Sequence, residues 1–291
     1  MSDSVSTNKT MMFKTVTVII MAVIASVIMA AFGAVNADAA TVGTAPKFVA
    51  EKTYESDYTH PYNSQTNTII VHWGKVTNAV RYDLYIAGGQ YSGWKKVAGT
   101  TATSYKVTGL RRATTYKFTL RAVYKNGYSP LAATQYIKTA RMNYDQAGWE
   151  AMCRIVYHEV GAINDSMWDK PIVYVSDCVV NRFVCAKYAP QTVWYSYYKR
   201  YSTVQQMIYN SGEFMSSAGL SRDGANYSNV PAKVKLAVWG ATYAQATYKG
   251  IVNDCNVFFW CNRGYSTSSS KIAYSFKIPW GYFYIWRSYW G

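Results

Sequence analysis

The sequence predicts a multidomain chain, a β-sandwich followed by a mainly α, α+β domain. Two observations carry this. Residues 45–140 hold short runs in which apolar and polar residues alternate between turns, the mark of half-buried strands. Beyond Arg141 the apolar residues fall at helical spacing instead. A third observation bounds both parts: a charge-free apolar run, Val16–Phe32, precedes them, and the rest of the 291 residues makes room for two modest domains.

The apolar run follows Lys9 and Lys14 and leads to Ala37-Asp38-Ala39-Ala40, a small-x-small site. That pattern reads as a secretory signal peptide over residues 1–40. The run is also about long enough to span a bilayer, so an uncleaved anchor is the alternative. The expected location is secreted, with membrane contact through this segment alone. The net charge is +15, of which residues 45–140 contribute +9 and residues 141–291 +6. A basic exported protein is drawn to anionic polymers. Export and the lack of long Lys/Arg runs argue against nucleic acid as a partner.

The first part, residues 45–140, is justified strand by strand. Thr68–Trp73 forms one strand, ended by Gly74, and Tyr82–Ile86 forms another, ended by Gly88-Gly89. Tyr116, Phe118, Leu120 and Ala122 alternate with Lys117, Thr119 and Arg121, so one face is expected buried and the other wet. Leu110 followed by Tyr116 suggests a tyrosine corner, and Trp73 is placed to fill the core. His60 and His72 are expected at the surface or on an edge strand. Val71-His72-Trp73, Ala79–Tyr85, Val107-Thr108-Gly109-Leu110 and Tyr116–Val123 together resemble a fibronectin type III domain. The resemblance implies a spacer or a carbohydrate-surface module, and nothing in the segment has a catalytic pattern.

The second part, residues 141–291, is expected to begin with a helix from about Gln146 to Val160, capped by Asn143 or Asp145. Trp149, Met152, Cys153, Val156 and Val160 make its apolar stripe, and Glu159 lies beside the stripe's edge. A carboxyl so placed is partly desolvated, which raises its pKa as a general acid requires. A second helix runs from Ile172 to about Cys185, with Pro171 suited to its first turn and Asp177 and Asn181 on one face. Ser202 or Thr203 caps a short third helix through Met207-Ile208-Tyr209. A loop, Gly212–Ser217, follows, then a helix from Ala232 to about Ala246 and an aromatic strand, Pro279–Trp286.

The cysteines all lie in this part: Cys153, Cys178, Cys185, Cys255 and Cys261. An odd count leaves at least one thiol unpaired. The first three fall on apolar faces of expected helices, as small buried hydrophobes, and Cys255 and Cys261 could close a short loop. A cysteine peptidase would need His158, the one His here. His158-Glu159 opens like the zincin pattern, but Ala162 stands where its second His is required. No metal and no cofactor are expected.

The order Arg154–Gly161, Val179-Val180-Asn181-Arg182, Glu213-Phe214, the Ala232 helix and the aromatic strand resembles the SleB-type cell wall hydrolase domain. That family shows Glu-Ala-x-Gly-Glu at a helix end, then Val-Val-x-Asn-Arg, a Gln-Phe-Ser loop, an Ala-rich helix and an aromatic strand. The resemblance implies a lysozyme-like fold that cuts peptidoglycan between N-acetylmuramic acid and N-acetylglucosamine. It implies Glu159 as the catalytic acid, with Asn181, Glu213 and Phe214 at the substrate. Two departures stand out. The family's second Glu is missing after Glu159, and the loop to the next helix is longer, with Asp165 and Asp169 as candidate replacements. A single carboxylate favours lytic transglycosylation, in which the substrate's own 6-hydroxyl attacks, over hydrolysis with two flanking carboxylates. A monomer bound to peptidoglycan and to anionic wall polymers is the expectation. The alternative is a non-catalytic wall-binding protein with a degenerate hydrolase domain.

Overall fold

The structure, a computed structural model, describes residues 41–49, 65–160, 169–220, 226–245, 248–250, 258–263, 270, 272–278 and 281–286. The expected leader, His60, Asp165 and Cys255 lie outside these residues, as does the side chain of Asp169. Among the described residues no helix is long and apolar enough to cross a membrane. The chain divides into two compact units, one holding Trp73–Thr103 and Lys117–Gln135, the other Ser104–Tyr116, the described part of Val49–His72, and the residues from Tyr136 onward.

In the first unit β2 (Arg81–Gly88) turns through Gly88-Gly89 into β3 (Tyr91–Thr100). Both glycines have positive φ, 91° and 58°, which a side chain would resist. β2 also pairs antiparallel with β5 (Thr115–Tyr124), Leu84 opposite Leu120, and β5 pairs with β6 (Gly127–Tyr128). The sheet order is β3-β2-β5-β6, with β7 (Gln135–Lys138) also alongside β5. Leu84, Ile86, Phe118, Leu120 and Ala122 are fully buried. Trp73 is 2 % exposed and meets the Tyr82 ring edge-on at 5.7 Å.

One expectation for β5 fails. Thr119 is buried rather than wet, because its hydroxyl donates to Ala132 O at 2.7 Å. Arg121 is also largely covered: its guanidinium lies 3.8 Å from the Tyr128 ring centroid, beside the buried Asp83. The segment after β6 folds over this face, which alternation along β5 cannot reveal.

In the second unit β1 (Ile69–His72) pairs antiparallel with β4 (Ser104–Val107). His72 is exposed on this two-stranded ladder, as expected. The Tyr116 hydroxyl accepts from Arg111 N–H at 2.8 Å, closing the tyrosine corner. Tyr116→Phe should therefore lower stability by about 1 kcal/mol in urea unfolding, the worth of one hydrogen bond without a change of packing. An unchanged midpoint would show that the corner contributes nothing here.

The helical part begins where sequence predicts. Asp145 Oδ1 accepts from Gly148 N–H at 2.8 Å and caps α1 (Gln146–Val160). Asn143 does not cap; its side-chain oxygen accepts from Thr66 N–H and Oγ1–H. Gly148 sits in a tight place, where a Cβ would lie 3.2 Å from Val204 Cβ and 3.1 Å from Asp145 Oδ1. α2 (Asp169–Tyr188) is longer than expected at both ends, and Pro171 sits in its first turn. α3 (Val193–Tyr198) was not expected. α4 (Val204–Asn210) is capped by Thr203, which accepts from Gln206 N–H at 3.1 Å. α5 (Ala232–Tyr243) stops at Ala244, which takes a left-handed conformation at φ 47°.

The stripe of α1 is buried as predicted: Trp149, Met152, Cys153, Val156 and Val160 are each at most 1 % exposed. α1 packs on α2, α4 and α5, and α2 packs on α3 and α5. A three-stranded antiparallel sheet in the order β8-β10-β9 follows, from Phe258–Arg263, Gly281–Trp286 and Ile272–Ile278. Its centre, β10, is the expected aromatic strand, and Phe283, Tyr284 and Ile285 are buried.

Candidate active site

Glu159 is the penultimate residue of α1, three positions after Val156 and one before Val160, both fully buried. Its own exposure is intermediate. Burial pushes its carboxyl above the ordinary Glu range, and the Arg182 guanidinium pulls it partly back. Burial of this kind favours the protonated form, the direction a general acid requires.

Arg182 comes from α2 and is 4 % exposed. Its guanidinium carbon lies 4.7 Å from the Phe214 ring centroid and 5.0 Å from that of Trp194. Nη1 lies 3.7 Å from Glu213 Oε2, an ion pair too long to be a hydrogen bond. Phe214 and Glu213 sit on the loop after α4, turned by Gly212 at φ 79°. Trp194 belongs to α3 and stacks on Tyr198 at 5.2 Å. Arg182 therefore links the two glutamates electrostatically, pairing with Glu213 and acting on Glu159.

Asn181 stands elsewhere. It is 1 % exposed, and its side-chain oxygen accepts from Arg141 Nη2 at 2.5 Å. Its neighbour on that face, Asp177, is fully buried and also acts on Arg141. Arg141 Nη1 donates to Ala241 O at 3.0 Å, which ties the segment before α1 to α2 and α5. Asn181 thus fastens the helices together and is almost wholly buried. Phe214, at 7 % exposure, serves as a wall for Arg182 rather than an open stacking platform.

Among the described residues the thiols of α1 and α2 are poorly placed as nucleophiles. Cys153 and Cys178 form no disulfide and are fully buried, and burial pushes the Cys153 thiol well up, away from thiolate. Cys185 is disulfide-bonded, which corrects its expected role as an unpaired hydrophobe. The loop closure expected of Cys255 and Cys261 lies outside the described residues and side chains.

The sequence reading missed the roles of Arg182, Trp194 and Arg141. The Asn181-Arg182 pair was the available signal for the first of them. The six residues of α3 are too few to show a period, and a lone Arg at a domain boundary reads as surface.

Comparison with known proteins bears on the strand-rich part. No match was found among curated proteins. A fibronectin type III domain from human fibronectin type III domain containing protein 3 is 20 % identical, covering 36 % of this chain and 92 % of that one, at a TM-score of 0.28. A fibronectin type III domain of human collagen XX is 16 % identical, covering 36 % and 99 %, at a TM-score of 0.27. The protein FN3tt is 25 % identical, covering 33 % and 97 %, at a TM-score of 0.25. The fibronectin type III family model matches residues 59–137 and ends well before Glu159. The chain thus carries a fibronectin type III domain at residues 59–137, followed by a separate helical region.

Proposed function

We propose that residues 141–291 form a SleB-like, lysozyme-like domain that cleaves peptidoglycan glycan strands by lytic transglycosylation, with Glu159 as acid and base. The observation that carries this reading is the half-buried Glu159 carboxyl, raised by burial and acted on by the buried Arg182 cation. In the proposed reaction Glu159 gives its proton to the glycosidic oxygen as the bond from muramic C1 breaks. The muramic 6-hydroxyl attacks C1, and the Glu159 carboxylate takes the hydroxyl proton. One carboxyl suffices because the second transfer restores the first, and no water enters.

The charge of +15 suits residence among anionic wall polymers, and the signal-like segment suits export. The fibronectin type III domain serves in this reading as a spacer or wall-surface module.

Digestion of purified cell walls, followed by mass spectrometry of the released fragments, tests the proposal. Disaccharide fragments with anhydro ends are the expected product. Free reducing ends would replace transglycosylation by attack of water. Binding to insoluble peptidoglycan without any release would favour the wall-binding alternative.

A further inference from the structure

Arg182 presents an unusual set of facts. Its side chain is 5 % exposed, yet Nε and Nη1 are buried and make no hydrogen bond among the described residues. The guanidinium is held by two aromatic rings, Trp194 and Phe214, and by a loose ion pair of 3.7 Å to Glu213. Buried donors without acceptors are costly, so such a site is suited to receive an acceptor. The clamp fixes where the cation is; the spare N–H groups leave open which carboxylate it serves.

We infer that Glu213 is a positioning residue: through its ion pair it draws the Arg182 cation's field away from Glu159, so that Glu159 can act as the acid. Once Glu159 has given up its proton, the new carboxylate becomes the stronger claim on Arg182, whose unused N–H groups are there to take it. Stabilisation then appears where charge develops, in the transition state rather than in the resting enzyme. This inference rests on Glu159 being the acid of the proposed reaction.

Among the described residues, other charged groups around α1 have contacts of their own, and Glu150 of α1 acts on Cys153 and Tyr209. Arg154, on α1 itself, lies over the Tyr209 ring of α4. Lys235 of α5 lies 4.4 Å from the Tyr227 ring centroid. Asp177 of α2 acts on Arg141 and Tyr248. His158 adjoins Glu159 on α1, and the charge that acts on Glu159 is Arg182.

The chain holds five glutamates, so protein labelled with 13C at Glu carboxyls gives a readable NMR titration. The full chain with Glu159→Gln assigns the Glu159 signal. Glu213→Gln should move the Glu159 midpoint down, because Arg182 is then uncompensated, and Arg182→Gln should move it up. If cell walls are cleaved, the basic limb of the pH profile of kcat/KM should move down in Glu213→Gln while the acid-side plateau is kept. Loss of rate at every pH without a moved midpoint would mean that Glu213 is merely structural. An unmoved or raised midpoint in Glu213→Gln overturns the inference. Inert walls with a correctly moved midpoint overturn the proposed function instead and leave the pairing standing. Should Arg182→Gln fail to fold, Glu213→Gln alone decides, since Glu213 is partly exposed, at 17 %, and is not part of the core.

Discussion

Glu159→Gln is expected to lower glycan cleavage by about a hundred- to ten-thousand-fold, the range a positioned acid and base supplies. The amide keeps the shape and the hydrogen-bonding reach but has no proton to give. Binding to insoluble peptidoglycan should survive, because the charge that attracts wall polymers is spread over the whole chain. The same substitution should stabilise the protein, with a definite pH dependence. The Glu159 carboxyl is raised in the folded chain by burial. The folded state therefore holds its proton to higher pH than the unfolded state does, and folding grows less favourable as pH rises through that interval. At pH below the unfolded value both states are protonated, and the Gln variant should match the wild type in Tm. As pH rises past the unfolded value the wild type loses stability that the variant keeps, so the variant should melt higher than the wild type at pH 7. A Tm gain equal at pH 4 and pH 7, or a loss at pH 7, would contradict a strained carboxyl at this position.

The parts of the fold legible in the sequence are those whose signal is local. α1 runs from Gln146 to Val160 as the stripe Trp149, Met152, Cys153, Val156, Val160 implies, since five apolar residues on one face over fifteen leave little freedom. The tyrosine corner is similarly local, with Arg111 and Tyr116 five residues apart. Thr119 and Arg121 read wrongly because their covering comes from Ala132 and Tyr128, beyond the next turn. The candidate site divides in the same way. Glu159 could be chosen from its own helix. Its surroundings could not: Arg182 is aimed by Trp194 on α3 and by Phe214 after α4, contacts that exist only once three elements have packed. Asn181 shares a helix face with Asp177 in the sequence, but that face turns inward onto Arg141, and periodicity does not say what lies opposite.

Arg141→Met is the substitution expected to cost most stability, about 3–5 kcal/mol. The argument starts from burial. Arg141 is fully buried, and desolvation pulls its guanidinium down to about 10, so it remains a cation at neutral pH. Its charge is answered by Asp177, likewise fully buried, and its N–H groups reach Asn181 Oδ1 and Ala241 O. Methionine fills much of the volume but leaves Asp177 as a buried anion without its countercharge and leaves the Asn181 and Ala241 oxygens without those donors. Against a total stability of about 5–15 kcal/mol the loss is large enough to show in urea unfolding or as failure to accumulate. The double change Arg141→Met with Asp177→Asn separates charge from packing. If the uncompensated anion is the cost, removing it should restore a substantial part of the stability, and the two changes will be far from additive. Additive losses would mean instead that Arg141 matters through its contacts to Asn181 and Ala241, as a strut between α2 and α5, and that Asp177 is held by other groups.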